Sequence, residues 1–324
     1  MVTRRLILAA GVAALGIASS AAHAQTFPNR PITLVLGFAP GGPSDVMARI
    51  FSRKMEEILK QPVVIDNRPG AGGGVSGAYV ARAAPDGYTI LLGTGSLLAI
   101  NVSLYKNLGY DPVKDFAPIS KLGSQTNVLY AHPSVQAKTL AELIALTNAN
   151  PRKYNFASGG IGTPAHLAGE LLKIRAKADI THVPFKGTGP SLQNVIAGHV
   201  QLAFNPPPPL LPHLKSGAIK AFAVSTLGRS TALPDVPTIA ESGYPGFDAA
   251  TWHGMVAPAG TPKPVIEVLH KAFTAALNDP DIKRQLVDLG VDIETSTPEE
   301  FGAYIKSEIP KWAEVVKASG AKVD

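Results

Sequence analysis

Short apolar runs alternate along most of the chain with segments in which apolar residues recur at helical spacing. Runs rich in β-branched and aromatic residues predict eight strands: Ile32–Phe38, Val63–Asp66, Thr89–Leu92, Val128–Ala131, Tyr154–Ala157, Thr181–Phe185, Val200–Phe204 and Ala221–Ser225. Helical patterns follow most of these runs, for example between Met47 and Leu59. The alternation predicts an α/β fold built around largely parallel sheets.

Polar capping residues mark the starts of several predicted helices. Each of them is followed either by proline or by a glutamate three residues later, and both arrangements are typical of a helix N-terminus. The capping residues are Thr139, Thr261, Asp279 and Thr297. We therefore predict that a helix begins directly after each of them.

The first residues have the pattern of an export signal. Arg4 and Arg5 precede an apolar stretch that is shorter than the ~20 residues needed to span a bilayer, and Ala22-His23-Ala24 fits a small-x-small cleavage site. We predict a signal peptide over residues 1–24, cleavage after Ala24 and a periplasmic mature protein. The arginine pair also resembles a twin-arginine signal, so the export route stays open. A retained membrane-bound N-terminus is the alternative.

Composition limits the classes of function that the mature chain can have. The 300 residues that follow position 24 of the 324-residue sequence suffice for about two domains. The chain has no cysteine, which excludes disulfides, thiolate nucleophiles and cysteine metal ligands. The net charge is +6, without a dense run of lysine or arginine. We therefore expect no nucleic-acid partner.

Four glycine-rich loops each lie between a predicted strand and a predicted helix. They are the first loop GFAPGGPSD (37–45), the second loop NRPGAGGGVSG (67–77), the third loop SGGIGTP (158–164) and the fourth loop KGTGPS (186–191). Unpaired N–H groups at such helix starts, with the positive end of the helix dipole behind them, favour an anion. Neither nucleotide-binding fingerprint fits, so a carboxylate suits these loops better. For any single loop, a plain strand-to-helix connection is the alternative.

Catalytic motifs are missing from the sequence. No G-x-S-x-G elbow occurs, and no two mature histidines have the spacing of a helical zinc site. His166 lies one helical turn before Glu170, where it suits either a ligand contact or a structural hydrogen bond. An exported hydrolase needs a nucleophile–base pair, so these observations argue against one.

Several motifs follow one another in a fixed order along the mature chain: PITLV leading into FAPGG and Asp45, VIDNRPGAGG, APDGYT, YDP, LPDVPT and APAGTP. Together they resemble the Bug-type receptors, the periplasmic substrate-binding proteins of tripartite tricarboxylate transporters. The resemblance covers almost all of the mature chain. It implies a two-lobed periplasmic-binding-protein fold (Venus flytrap, type II) with two chain crossovers. Lobe I would comprise residues 25–125 and 250–324, and lobe II residues 126–249.

The same resemblance implies a receptor that captures a small carboxylate between its lobes and delivers it to membrane permease subunits. In such receptors backbone amides and hydroxyls surround one carboxylate group. The matching positions here are Pro40, Gly41, Gly42, Asp45, Ser158, Gly160, Thr163 and His166, with Phe38, Gly73, Ser96, Lys186, Gly187 and Asn205 as further cleft residues. We expect a monomer with no catalytic residue, cofactor or metal.

One position departs from the pattern of the resemblance. Many relatives carry an acid after the strand that ends at Phe204, whereas this chain has Asn205 followed by Pro206–Pro209. A neutral amide cannot pair with an ammonium group, so we expect a di- or tricarboxylate or an aromatic carboxylate before an amino acid. The prolines predict a turn at the mouth of a site or a rigid connector. A sensory module without transport and an exported hydrolase stay open as alternatives.

Overall fold

The computed structural model describes residues 27–320, which form two β-sheets flanked by helices. The strands are β1 (Ile32–Leu36), β2 (Val63–Asn67), β3 (Thr89–Thr94), β4 (Phe116–Gln125), β5 (Val128–Ala131), β6 (Tyr154–Ser158), β7 (Ile180–Pro184), β8 (Leu202–Asn205), β9 (Lys220–Val224), β10 (Thr251–Pro258) and β11 (Val291–Ile293).

Helices occupy most of the segments between these strands. They are α1 (Pro43–Leu59), α2 (Gly74–Ala81), α3 (Asn101–Leu104), α4 (Leu140–Asn148), α5 (Pro164–Ala176), α6 (Thr188–Ile196), α7 (Leu211–Lys215), α8 (Lys263–Asn278), α9 (Pro280–Asp288) and α10 (Pro298–Ser319). A 3₁₀ turn over Ala71–Gly73 precedes α2, and a π-helical segment over Ser96–Ile100 precedes α3.

The first sheet has the strand order β11-β4-β10-β3-β1-β2, and the second has the order β7-β6-β8-β5-β9. Strand β1 runs parallel to β2 and β3, and β6 runs parallel to β7 and β8. The chain passes from the first sheet to the second between Gln125 and Val128, and it returns through residues 225–250. The carboxyl ends of the parallel strands in each sheet therefore lead into the glycine-rich loops.

All eight predicted strands are present, and none of their ends is shifted by more than two residues. The prediction missed β4, β10 and β11. His253 and Gly254 lie at the centre of β10, so its sequence lacks a regular alternation of apolar and polar residues. The pairing of β10 with β4 is also irregular, because its register shifts at two points. A Cβ on Gly254 would lie 2.2 Å from the Phe301 ring, so a tertiary contact selects the glycine there.

Three of the four predicted helix caps are present. The Thr297 hydroxyl accepts from the Glu300 N–H, and the Glu300 carboxylate accepts from the Thr297 N–H, which completes a capping box. The side chains of Asp279 and Thr139 also cap their helices. The prediction for Thr261 is wrong: its hydroxyl donates to a backbone carbonyl three residues earlier, and α8 has no side-chain cap.

A buried carboxylate holds the C-terminal helix α10 against the first sheet. Glu308 Oε2 accepts from the indole N–H groups of Trp252 and Trp312, both at 2.9 Å. Lys311 forms an ion pair with the same carboxylate, and its Nζ donates to the Asp248 carbonyl at 3.2 Å. These bonds connect α10 to the segment through which the chain returns from the second sheet.

Prediction: replacing Gly169 inside α5 by alanine tests how tightly this helix packs on the second sheet. Helix propensity alone favours alanine over glycine by ~1 kcal/mol. A Cβ on Gly169, however, would lie 2.1 Å from Cε2 of the fully buried Phe156 ring. We expect Gly169→Ala to lower the free energy of unfolding by about 1–3 kcal/mol, measured by urea denaturation.

The matched control for this substitution is Gly189→Ala in α6, where an added Cβ meets no atom within 4 Å. This variant should lose no stability. A gain in stability for Gly169→Ala similar to that of the control would contradict the packing argument.

Candidate ligand-binding site

Asp45 closes the first loop from the inside. The carboxylate is buried; it accepts from the Gly41 N–H at 2.9 Å and from Arg49 Nε and Nη2 at 2.8 and 3.1 Å. Hydrogen bonds from Arg49 hold the pKa of Asp45 below its ordinary value, although burial acts in the opposite direction. The ionised Asp45 side chain is thus bonded within the protein and fixes the loop backbone at Gly41, where φ is +78°.

The exposed residues of the first loop are Ala39, Pro40, Gly41 and Pro43, and Gly42 between them is half-buried. Gly42 is the N-cap of α1 and offers no side-chain cap to the first turn of this helix. An added Cβ on Gly41 would meet no atom within 4 Å, so the space in front of it is open. The start of α1 therefore presents backbone N–H groups beside free volume, which suits an anion.

The second loop lies directly against the first. A Cβ on Gly37 would lie 2.7 Å from the Gly73 Cα, so the two backbones touch. Asn67 Nδ2 donates to the Phe38 carbonyl at 3.0 Å and makes a further connection between these loops. Gly73, with φ +90°, is the N-cap of α2, which again has no side-chain cap.

The segment after β3 packs against the second loop. Half-buried Ser96 begins the π-helical segment. A Cβ on Gly73 would lie 3.0 Å from Leu97 Cδ1, and Asn101 Nδ2 donates to the Gly72 carbonyl at 3.1 Å. The predicted site residues of the first two loops and Ser96 thus lie along one end of the first sheet.

Hydrogen bonds within the third loop use most of its polar groups. Thr163 Oγ1 donates to the Gly160 carbonyl at 2.7 Å and accepts from the His166 N–H at 3.3 Å, so it caps α5. The Ser158 side chain is completely buried; its Oγ lies 2.7 Å from His182 Nε2 and accepts from the Gly160 N–H at 3.2 Å. Ser158 and Thr163 therefore organise the loop backbone.

Two stacked histidines lie beneath the third loop. The rings of His166 and His182 are 4.0 Å apart with an interplanar angle of 28°. Burial lowers the pKa of His166 to about 4 and that of His182 to about 3, so both are neutral at pH 7. His166 Nδ1 accepts from the Gly162 N–H at 3.1 Å, which leaves the ring proton on Nε2, 3.8 Å from Glu170 Oε1.

The fourth loop contacts the third. The Gly187 N–H donates to the Gly159 carbonyl at 3.0 Å, and a Cβ on Gly159 would lie 3.4 Å from the Gly187 backbone. Gly187, with φ +111°, is the N-cap of α6, has open space around it and gives this helix no side-chain cap. Lys186 is exposed beside it.

Asn205, like Ser158, is completely buried. Its Nδ2 donates to the Tyr130 hydroxyl at 2.7 Å and to Ser191 Oγ at 3.1 Å. The following prolines form a turn that packs on Gly290, where an added Cβ would lie 3.1 Å from Pro208. The turn thus bridges the two sheets as a connector.

The loops form two pairs, one at each sheet. The first and second loops touch each other, and so do the third and fourth. Near these pairs, Leu104 of α3 approaches the third loop, where its Cδ1 would lie 3.3 Å from a Cβ on Gly162. The starts of α1 and α6, which lack side-chain caps, therefore lie at different sheets.

Residues 47–321 match the family TctC, the tripartite tricarboxylate transporter family receptor. Protein BugT of Bordetella pertussis is 38% identical over 322 residues, which cover 98% of each chain. A solved structure of an R. palustris protein with adipate is 34% identical, with a TM-score of 0.76, over 92% of this chain and 100% of that one. MatC from Rhodopseudomonas palustris with bound malate is 36% identical, with a TM-score of 0.72, over 90% and 100%. The chain belongs to this family.

These similarities confirm the predicted resemblance to Bug-type receptors. They also confirm the two-lobed periplasmic-binding-protein fold, because solved receptors superpose over most of the chain. The chain is therefore a solute-binding receptor of the tripartite tricarboxylate transporter type. Within residues 27–320, no helix is both long and apolar enough to cross a membrane, and no group of three or more His, Asp or Glu residues could hold a metal ion.

Sequence reasoning missed three polar residues near the loops of this receptor: Ser44, His182 and His253. Ser158 and His182 have the separation of a nucleophile–base pair. Ser158 is nevertheless fully buried, and a histidine with a pKa of about 3 is a poor general base near neutral pH. The pair therefore gives the hydrolase alternative no support. No local pattern could reveal it, because the two residues lie on different strands.

Prediction: the buried neutral histidines make the fold sensitive to acid. An unfolded histidine binds a proton near pH 6.5, whereas folded His166, His182 and His253 stay neutral down to about pH 3 to 4. Their stabilising contribution is complete above pH 6.5 and is lost as the pH falls through this window. Each contributes a slope of up to ~1.4 kcal/mol per pH unit in the free energy of unfolding.

His182→Gln removes one of these groups and keeps a polar partner for Ser158. Urea denaturation of the parent and the variant between pH 6.5 and 5 should give a shallower slope for the variant. Equal slopes in the two proteins would show that His182 does not stay neutral in the folded state.

Proposed function

We propose that this receptor captures a small dicarboxylate in the cleft between its lobes and delivers it to permease subunits of a tripartite tricarboxylate transporter. The observation that carries the proposal is the pair of helix starts without side-chain caps at α1 and α6. Each has a half-buried glycine as its N-cap, Gly42 in α1 and Gly187 in α6. Such N–H groups are satisfied by an acceptor with several lone pairs, and a carboxylate supplies about four.

The predicted ligand-binding residues fit this role in two ways. Gly41, Gly42 and Gly187 would let the ligand approach the backbone amides, whereas buried Gly73 packs between Gly37 and Leu97 and shapes the first two loops. Asp45, Ser158, Gly160, Thr163 and His166 hold the loops in the conformation that points those amides outward. We propose that Phe38, Pro40, Ser96 and Lys186 line the cleft, and that Asn205 supports the fourth loop from beneath through Ser191.

Two further observations support a dicarboxylate with an apolar middle. Similar solved receptors contain adipate and malate, both of which are dicarboxylates. Apolar side chains are exposed on the loops, where Ile161 of the third loop is 57% exposed and Val75 of the second loop is 50% exposed. Buried Asn205 has no charge to offer an ammonium group, so an amino acid fits less well. An aromatic carboxylate is the alternative ligand.

Lobe closure would bring the two pairs of loops onto one ligand. We propose lobe I as residues 25–125 with 250–324, lobe II as residues 126–249, and hinges near Gln125 and Ala250. Asn127 lies between the lobes; its N–H donates to Ser225 Oγ and its Nδ2 donates to Thr251 Oγ1. The bond to Thr251 joins the two lobes, and the chain crosses here in short segments about which the lobes would rotate while the sheets stay rigid.

The predicted signal peptide and its cleavage after Ala24 lie outside the described residues. We propose, from the sequence pattern, a monomeric periplasmic receptor without catalytic activity. A sensory module would use the same cleft. Loss of carboxylate uptake on deletion of the gene distinguishes transport from sensing.

Prediction: a thermal-shift screen of residues 25–324 against mono-, di- and tricarboxylates, both aliphatic and aromatic, should identify ligands. A ligand at ~100 times its Kd adds ~2.7 kcal/mol of stability, which gives a melting shift of several degrees. We expect the largest shift from a dicarboxylate. The proposal fails if no carboxylate raises the melting temperature while amino acids or sugars do.

Gly42→Val and Gly228→Val test whether the ligand lies at the first loop. An added Cβ on Gly42 would lie 3.2 Å from the Ala39 carbonyl. A branched side chain there would crowd the first loop beside the start of α1, and we expect binding to weaken roughly tenfold or more. Gly228 is exposed with no atom within 4 Å of an added Cβ, so Gly228→Val is the matched control. The first loop is not the binding site if Gly42→Val stays folded and keeps the parent affinity in calorimetric titration.

Prediction: ligand binding should compact the molecule. A ligand that contacts both lobes stabilises the closed population, so the radius of gyration from small-angle scattering should decrease at saturation. Gly42→Val at the same ligand concentration should show a smaller decrease, because its weaker binding leaves part of the protein without ligand. An unchanged radius for the parent at saturation would contradict lobe closure.

A further inference from the structure

The hydroxyls of the first and third loops differ in how much hydrogen-bonding capacity they keep. Thr163 both donates and accepts within its loop, and Ser158 is buried without residual exposure. Ser44, the second residue of α1, keeps 6% of its surface exposed. Among the described residues its Oγ has one hydrogen-bond partner, His253 Nε2 at 3.1 Å. Ser44 therefore has capacity left for a ligand.

His253 lies behind Ser44 in the centre of the first sheet. It is on β10, opposite Thr94 of β3 and Gly123 of β4, and is 3% exposed. Its Nδ1 is buried and has no hydrogen-bond partner. Burial lowers the pKa of His253 to about 4, so the ring is neutral at pH 7 and carries one proton.

The unpaired Nδ1 determines which nitrogen carries that proton. A buried N–H donor without a partner is rarer in proteins than an unsatisfied acceptor. The proton therefore belongs on Nε2, where it is donated to Ser44 Oγ. Once Ser44 accepts from the ring, its own hydroxyl proton is free for another acceptor.

We propose that Ser44 donates its hydroxyl proton to the ligand carboxylate, and that His253 is the positioning residue that keeps this proton directed at the cleft. The inference rests on the proposed function, because it names a donor within that same site. The hydroxyl adds a short charge-assisted bond to those of the α1 amides. Since the Ser44 oxygen already accepts from His253, this position favours a ligand group that only accepts. It thus selects a carboxylate over its carboxamide.

The tautomer can be measured without a ligand. A long-range ¹H–¹⁵N spectrum of the histidine rings at pH 7, assigned with His253→Gln, should show a protonated Nε2 and an unprotonated Nδ1 for His253. A proton on Nδ1, or on both nitrogens, would overturn the inference, because Ser44 would then have to donate to the ring or the ring would be charged.

The effect on binding is measured by calorimetric titration with adipate, and with malate where adipate gives no heat. Ser44→Ala should weaken binding by about ten- to a hundredfold. His253→Leu should weaken it to a similar extent, and adding it to Ser44→Ala should cause little further loss. His253→Gln keeps a side-chain N–H at similar reach and should stay within about threefold of the parent. Ser52→Ala, a buried serine on the same helix, is the matched control and should bind as the parent does.

Selectivity separates this role from a merely structural one. The parent should prefer the dicarboxylate to its monoamide, and Ser44→Ala should lose part of this preference. The inference fails if Ser44→Ala and both His253 variants bind the ligand as the parent does. The proposed function still stands in that case, provided that the parent binds and Gly42→Val does not. If no carboxylate binds the parent, both fail. If the His253→Leu variant does not fold, the tautomer measurement and the affinities of Ser44→Ala and His253→Gln still test the inference.

Discussion

Direct contact between glycine backbones is the constraint on which the rest of the site depends. Gly37 touches Gly73 in the first sheet, and Gly159 lies against Gly187 in the second. A Cβ on Gly37 would lie only 2.7 Å from its neighbour's Cα, a distance that side chains cannot tolerate. These contacts place the start of one helix beside the next loop in each lobe. The backbone N–H groups of neighbouring loops lie close together because glycine places no side chain between these loops.

Polar side chains in these loops act mainly on the loops themselves. Asp45 holds the Gly41 N–H, Thr163 holds the Gly160 carbonyl and His166 holds the Gly162 N–H. Each bond removes one way in which the loop backbone could rotate. The helix-start amides are thus oriented before a ligand arrives, so less conformational entropy is lost when it binds.

The sequence predicted the parts of the fold that local patterns encode. The glycine loops after apolar strands and the capping box at Thr297 were predictable, because the residues that form each of them are only a few positions apart. Strand β10 was not readable, since its Gly254 is selected by Phe301 from a distant helix. Arg49, which orients Asp45, lies four residues after it on the same helix. The i,i+4 spacing of these opposite charges was therefore visible in the sequence. The pairing of Ser44 with His253 joins residues 209 positions apart, and no local pattern contains it.

The charge of these groups bears on how a receptor releases what it binds. Arg49, the cation nearest in sequence to the first loop, is already paired with Asp45. His166, His182 and His253 are neutral at pH 7 because burial lowers the pKa of each. At the first and third loops the ligand carboxylate would then be held by amide dipoles and hydroxyls. Such bonds depend on geometry that both lobes must supply together, so they break as soon as the cleft opens. Exposed Lys186 of the fourth loop, proposed as a cleft residue, would keep its attraction over a longer distance, because a Coulomb interaction falls off slowly with separation.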